Sequence, residues 1–462
     1  MEEKIFFYYT NDLHSHFENW SKIVSYFNQK KEQRKAAKQA SWFLDIGDHV
    51  DRSHSISEAF MGKANVELLN HANYDIATIG NNEGITLDYD DLYHLYDHAS
   101  FQLVCGNLQS VNKDNPSWLK DSYYSITDSG IKIGFIGLTA PFNAFYNLLG
   151  WNVTSPYEYL DRHIDRIANN CDIVILLSHL GINEDEEIAR RYPDIDVIIG
   201  GHTHHLFRTG EYVNKTLLTA AGKHGTNVGE VILTWDHYRN KLVQKEGYVT
   251  NIEHVDRDSM TGVKLDEYQK QADQILGETV VTLTEPLEVN WFQSTKLMTM
   301  LVDTLMEWTN SDCAMLNAGL LLETLDAGDV SYRDIHRICP HPINPCTVDL
   351  NGNELAEVIR GSLTKSLMEL ELKGFGFRGT VIGKMVFAGL DVELEHQHGE
   401  YRVGSIRMGG KLLDRNKTYR VATADMFTFG QLLPEISRAK KKHFFMPEFL
   451  RDLLVHALKT KF

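Results

Sequence analysis

Two side chains that bind transition-metal ions, a carboxylate and an imidazole, stand two positions apart at Asp12 and His14. At that spacing they can converge on one ion of the zinc, manganese or iron type. Side chains of the same kind recur at Asp48, Asn81, His179, His202 and His204. Seven ligands exceed the three or four that one ion takes. Two ions sharing a bridging carboxylate would use all seven and still leave positions for water and substrate. Such a pair, about 3.5–4 Å apart, polarises a phosphoryl group and turns a bridging water into hydroxide near neutral pH. Two divalent ions bring four positive charges and the two aspartates cancel two, so the expected substrate is an anion.

Each of these residues follows an apolar run. Residues 5–9 read as a strand and lead to Asp12 and His14. Strands are likewise expected at 42–46 before Asp48, at 74–79 before Asn81, at 172–177 before His179 and at 195–199 before His202 and His204. Helical patterns at 21–40, 57–72 and 156–168 fall between strands. This alternation signals an α/β domain whose sheets are covered on both faces. In such sheets ligands gather outside the carboxyl ends of the strands, where all seven residues would sit.

The order Asp-x-His, Gly-Asp-x-x-Asp, Gly-Asn-x-Glu, Ser-His, Gly-His-Thr-His resembles the calcineurin-like metallophosphoesterases over about residues 4–250. The stretch Asn317-Ala318-Gly319-Leu320-Leu321, with Ala327-Gly328-Asp329-Val330 after it, is similar to the 5'-nucleotidase branch over about 278–462. The resemblance implies a four-layer αββα sandwich followed by a smaller α/β substrate domain. The expected boundaries are 1–255, a connecting helix at 256–277, and 278–462. It further implies that Asp12, His14, Asp48 and His204 hold one metal and that Asp48, Asn81, His179 and His202 hold the other, with Asp48 bridging. The expected cofactors are two divalent ions of the zinc, manganese or iron type. The expected reaction is hydrolysis of a small-molecule phosphoester of nucleotide kind, as in nucleotide catabolism.

The sequence departs from the family pattern at Asn82, where relatives carry a histidine, and at Ile85, where 5'-nucleotidases often carry an aspartate. An amide donates a hydrogen bond but cannot deliver a proton. General acid catalysis contributes about 10²–10⁴ in rate, so its loss favours leaving groups that need little protonation. Diphosphates, cyclic phosphodiesters and activated esters fit. Alternatively His16, His49, His54, His205 or His224 substitutes. Leu321 stands where an arginine binds phosphate in relatives, and Lys384 where an aromatic stacks a base. Phe427 and Phe429 replace a Gly-Gly-Asp-Gly-Tyr loop and are candidates for base stacking. His396 and His398, beside Gly399, read as an exposed hairpin. A phosphodiesterase or pyrophosphatase on another phosphoester, and a metal-dependent phospholigand sensor without turnover, are the competing readings.

Composition narrows the setting. With 462 residues and 43% hydrophobic side chains the chain can build more than one core. A formal charge of -17 argues against a nucleic-acid polymer as partner. No run approaches the roughly 18 apolar residues of a membrane span. The N-terminal Met1-Glu2-Glu3-Lys4 leads straight into a strand, without the pattern of a signal peptide. Five cysteines, none in a C-x-x-C pair, fit a reducing, cytoplasmic setting.

Overall fold

The structure, a computed structural model, describes residues 2–397 and 400–462. His398 therefore lies outside the described residues. The chain divides into two compact units, Met1–Ala272 and Asp273–Phe462.

The first unit contains two large mixed sheets. In one, Glu2–Thr10, Ser41–Asp45, Ile76–Ala77, Gln102–Val104 and Leu119–Lys120 run parallel in that order, and Asn227–Asp236 pairs antiparallel with the other edge of Glu2–Thr10. In the other, Lys132–Thr139, Ile173–His179, Val197–Gly200 and Thr216–Thr219 run parallel. Successive side chains point to opposite faces of a strand. Accordingly Ile5, Phe7 and Tyr9 of one sheet meet Ile133, Phe135, Ile173, Ile175 and Leu177 of the other in a shared core. The outer faces are covered by helices. Tyr8 and Phe43 pack on Tyr26 and Phe27 of the helix Trp20–Ala36. Leu176 and Ile198 pack with Leu160, Ile164 and Ile188 of Pro156–Ala168 and Ile182–Arg191. The result is the four-layer αββα sandwich that the resemblance implied.

Local differences from the expected elements have identifiable causes. The helix anticipated at 57–72 is two helices, Ser55–Ala59 and Lys63–His71, because Met61 and Gly62 adopt left-handed backbone (φ 47° and 78°). The strand anticipated at 74–79 is only Ile76–Ala77. Within the stretch 256–277 the helix is Ser259–Ile275.

In the second unit a five-stranded sheet has the order Met385–Ala388, Cys313–Asn317, Thr418–Ala424, Pro345–Asn351, Lys442–Phe444. The helices Lys296–Trp308, Gly352–Ser362 and Leu450–Lys461 contribute Leu301, Leu305, Leu355, Ile359, Leu453 and Leu454 to its core. Among the described residues no helix is long and apolar enough to cross a membrane.

Candidate metal centre

All seven side chains anticipated as ligands come together at the carboxyl ends of the parallel strands, drawn from both sheets. Asp12 and His14 follow Glu2–Thr10, Asp48 follows Ser41–Asp45, and Asn81 opens the short helix Asn81–Thr86 after Ile76–Ala77. His179 ends Ile173–His179, and His202 and His204 follow Val197–Gly200. Two groups of potential ligand atoms form: Asp12, His14 and His204, and Asp48, His179 and His202. His202 Nδ1 is 2.7 Å from Asn81 Oδ1, which adds Asn81 to the second group. Asp48 Oδ2 lies 3.6 Å from His14 Nε2 and 3.3 Å from His179 Nε2, between the two groups.

The backbone is bent to reach this arrangement. Asp12, His14, Asp48, His202 and His204 all have φ between 49° and 70°, the left-handed region that costs non-glycine residues free energy. Where backbones cross, side chains are excluded. A Cβ on Gly80 would stand 2.1 Å from Asp48 Oδ1, and one on Gly47 (φ 87°) would meet the Gly80 nitrogen at 2.4 Å. Glu83 ties these loops from below. Its carboxylate accepts from the backbone N–H of Asp48 (3.0 Å), Gly80 (3.0 Å) and Val50 (2.8 Å). Burial, reinforced by Asp48, pushes its pKa up to about 7. The Asp12 carboxylate is held by the backbone N–H of His202 (3.0 Å) and by the Asn11 amide (2.7 Å).

The donor set fits divalent ions on its own chemistry. His179 is fully buried and its Nδ1 lies 2.7 Å from the Ile46 carbonyl. A carbonyl only accepts, so the Nδ1 carries a proton and Nε2 faces the site. That Nε2 makes no well-formed hydrogen bond and faces the Asp48 carboxylate at 3.3 Å, so carboxylate and imidazole are turned toward one another as donors to a shared ion are. His14 Nε2 and His204 Nε2 approach to 3.2 Å, as nitrogens aimed at a common ion do. Burial first, then neighbouring histidines, pushes His202 down to about 4; burial, His14 and Lys223 push His204 down to about 3. Both stay neutral, the form that ligates. Burial works against charge on His179, but Asp48 and Asp12 beside it prevail and raise it to about 10. Asp48 moves the other way, below the usual carboxylate range, because His179 and His14 outweigh its burial.

Asn82 does not present its side chain as an acid would. Its Nδ2 reaches His14 Nδ1 (3.0 Å) and the Val50 carbonyl (3.2 Å), while its backbone N–H donates to Asp48 Oδ1 (2.7 Å). Of the five alternative histidines, His49 is buried against Trp20 and His54 Nδ1 accepts from the Ile56 N–H. His205 Nδ1 lies 2.9 Å from Thr203 Oγ1. His16 and His224 border the centre: their rings stack at 3.7 Å, and that of His224 is 6.0 Å from His14.

In the second unit the two phenylalanine candidates separate. Phe427 is fully buried in the core, so it packs and has no face to offer a base. The pattern could not distinguish it from Phe429, because Asp425–Thr428 is a 3-10 turn without strand alternation. Phe429 is half-buried and lies parallel to Phe375, ring centres 6.2 Å apart and planes within 4°. Sequence reasoning missed Phe375. Its signal was a large aromatic between Gly374 and Gly376, in a loop where an exposed ring has no packing reason to be. Leu321, at the position of the missing arginine, is buried. Glu83 was also missed as a support, although its place three residues after Gly80 is that of a capping box.

Comparison with known proteins agrees with this architecture. The profile of calcineurin-like phosphoesterases matches residues 7–206, and that of the 5'-nucleotidase C-terminal domain matches 276–431. The "Uncharacterized metallophosphoesterase YunD" of Bacillus subtilis (strain 168) is 44% identical over 460 residues, 99% of this chain and 100% of that protein. Among solved structures, Haemophilus influenzae NAD nucleotidase superposes with TM-score 0.70 at 16% identity, covering 99% of this chain and 96% of that one. The 5'-nucleotidase precursor of Thermus thermophilus does so with TM-score 0.62 at 19% identity, covering 99% and 96%. At those identities the likeness is one of fold. The full-length relative settles kinship: this chain belongs to the calcineurin-like metallophosphoesterases, phosphoester hydrolases that use two divalent metal ions, in the branch that carries a 5'-nucleotidase C-terminal domain.

Proposed function

We propose that the chain is a 5'-nucleotidase-like hydrolase acting on the phosphate of a small nucleotide, and that Asp48 is the carboxylate shared by its two ions. The observation that carries the metal assignment is the position of Asp48 Oδ2, within 3.6 Å of a nitrogen of each group. Asp12, His14 and His204 would complete one ion's ligands, and Asn81, His179 and His202 the other's. Two divalent ions supply polarisation of the phosphoryl group and an acidified water. The protein fixes the ligand tautomers, as the Ile46 carbonyl does for His179, and holds Asp48 through the Asn82 N–H.

The nucleotide part of the reading rests on Phe375 and Phe429. Two parallel rings with centres 6.2 Å apart offer flat faces on which a planar base can stack, a contact worth about 1–3 kcal/mol per base. The side chain at position 82 favours a second reading within the same chemistry. With its amide turned to His14 Nδ1 and Val50, no acid stands there for a poor leaving group. Diphosphates and cyclic phosphodiesters would then be turned over faster than monophosphates. The five free cysteines, four of them buried, support action in a reducing cytoplasm.

The test is a panel of nucleoside monophosphates, cyclic nucleotides, nucleotide diphosphate-sugars and aryl phosphates, assayed with manganese or zinc and after chelation. Turnover of at least one nucleotide that chelation removes and metal restores is expected. Turnover confined to non-nucleotide esters would refute the nucleotide reading, and none above the chelated background would refute the hydrolytic one.

A further inference from the structure

Behind the metal-bearing loops lies a buried polar ring that the chemistry above does not use. Ser15, Ser57 and Asn65 are each almost fully buried. Ser15 Oγ is 2.6 Å from Ser57 Oγ, Ser57 Oγ is 2.8 Å from Asn65 Oδ1, and Asn65 Nδ2 is 3.0 Å from Ser15 Oγ. Proton accounting fixes its direction. The Asn65 carbonyl oxygen can only accept, so the Ser57 hydroxyl donates to it. Ser57 then has no proton left for Ser15, so the Ser15 hydroxyl donates to Ser57. Ser15 in turn accepts from the Asn65 amide and from the Asp51 N–H at 2.8 Å. The second amide proton of Asn65 points to His49, whose carbonyl lies at 3.0 Å and Nδ1 at 3.2 Å. A flipped amide would set oxygen against that carbonyl, so the orientation is fixed as well.

The ring joins three parts of the chain. Ser15 directly follows His14 in the first metal-bearing loop, at φ 54°. His49 and Asp51 follow Asp48 in the second. Asn65 is on the helix Lys63–His71, whose core side chains Leu68 and Leu69 anchor it. Backbone bonds already pair the two loops, from His14 N–H to the Asp48 carbonyl (2.8 Å) and from Ser15 N–H to the His49 carbonyl (3.0 Å). Those bonds fix the two loops to each other; Glu83 and the His202 N–H hold them at the ligand end, and the ring holds the stretch behind it. The Asn65 amide, with two donors aimed one at each loop, refers both to a rigid element.

We propose that Asn65, through the ring it closes with Ser15 and Ser57, is a positioning residue that sets the separation of the two metal ions. The inference rests on the dimetal reading of the centre. Neither Asn65 nor Ser57 touches a ligand side chain; they act through Ser15 and the His49 carbonyl. Removing either opens the ring, releases the paired loops from the helix Lys63–His71, and lets Asp12, His14 and Asp48 shift together against Asn81, His179, His202 and His204, which other elements carry.

The test is manganese binding by calorimetry together with the exchange-coupled dimanganese EPR signal, which reads ion separation directly. The parent chain, Asn65→Ala, Ser57→Ala and Leu160→Ala are compared. Two ions bound by the parent are the starting condition; a parent binding one or none refutes the dimetal reading itself. In Asn65→Ala and Ser57→Ala the second ion is expected to bind at least about tenfold more weakly, the loss seen for mutated supports of metal ligands, and the coupled signal to shift or fade. Leu160→Ala takes buried apolar contact from the helix Pro156–Ala168, which carries no residue of the ring or the centre. It should lower the melting temperature and leave the coupled signal as in the parent. Ser57→Ala removes a single oxygen and keeps the test open if Asn65→Ala fails to fold. Parent-like affinity and signal in a folded ring variant, or the same change in Leu160→Ala, would overturn the inference.

Discussion

Restoring a histidine at position 82 tests the chemistry most directly. Asn82→His places an imidazole on the first turn of Asn81–Thr86, beside the centre. The backbone N–H that holds Asp48 Oδ1 at 2.7 Å is kept. The side-chain contacts to His14 Nδ1 and the Val50 carbonyl are lost, at about 1 kcal/mol each. Against that cost of about 2 kcal/mol in local stability, a positioned general acid lowers the barrier by about 3–5 kcal/mol, or 10²–10⁴ in rate. The benefit depends on the leaving group. A ribose 5'-oxygen leaves poorly as an alkoxide, whereas p-nitrophenolate leaves without help. The variant should therefore raise kcat/KM for nucleoside 5'-monophosphates by about 10² or more, and for p-nitrophenyl phosphate by less than about tenfold. The assay is kcat/KM for both esters and for aryl phosphates of graded leaving-group pKa, with metal content measured on the same samples. The parent's plot should fall steeply as leaving-group pKa rises and the variant's should flatten. Equal effects on both esters, or no gain on the monophosphates with metal content intact, would refute the view that position 82 is the missing acid.

Other perturbations separate the parts of the site. Asp48→Asn weakens the shared ligand, and metal analysis should show fewer than two ions bound, with kcat reduced by at least about 10³ as expected when preorganised charge is lost. Phe375→Ala or Phe429→Ala should raise KM for nucleotides about 10–100-fold, the value of base stacking, while p-nitrophenyl phosphate kinetics stay as in the parent. Phe427→Ala should instead destabilise folding by about 3–5 kcal/mol, the cost of a buried phenylalanine, as read by urea unfolding. Asp425, buried in the second unit, has its pKa pushed by burial up to about 7 from an ordinary 3.8. Between those values the unfolded chain releases a proton that the folded chain keeps, so stability falls as pH rises from about 4 to about 7. At about 1.4 kcal/mol per pKa unit this amounts to on the order of 4 kcal/mol. Unfolding of Asp425→Asn across that range should lack this part of the slope.

The centre was legible in the sequence because its residues stand where apolar runs end. Within each parallel sheet that one fact brings the residues to one end, Asp12 and Asp48 in one sheet and His179 and His202 in the other; the packing of the two sheets then joins them. Supports were less legible because their partners are set by tertiary contact. Glu83 binds two loops whose meeting no local pattern announces, and Asn65 reads as an ordinary polar residue in a helix. Helix breaks were hidden for a related reason: Phe60-Met61-Gly62 continues an apolar period while its backbone turns left-handed. In the second unit Phe375 and Phe429 lie far apart in sequence, and neither loop reveals that their rings lie parallel.

The five left-handed residues Asp12, His14, Asp48, His202 and His204 also bear on the chain's history. At roughly 1 kcal/mol each they withhold about 5 kcal/mol from folding, a large share of the about 5–15 kcal/mol that holds a domain together. Glycine at any one of them would relieve that strain at once. A lineage with no further use for the ligands would therefore gain stability from the first such replacement, and drift alone would supply it. Five strained, non-glycine candidate ligands at one centre are a cost in folding free energy that only the use of their side chains offsets.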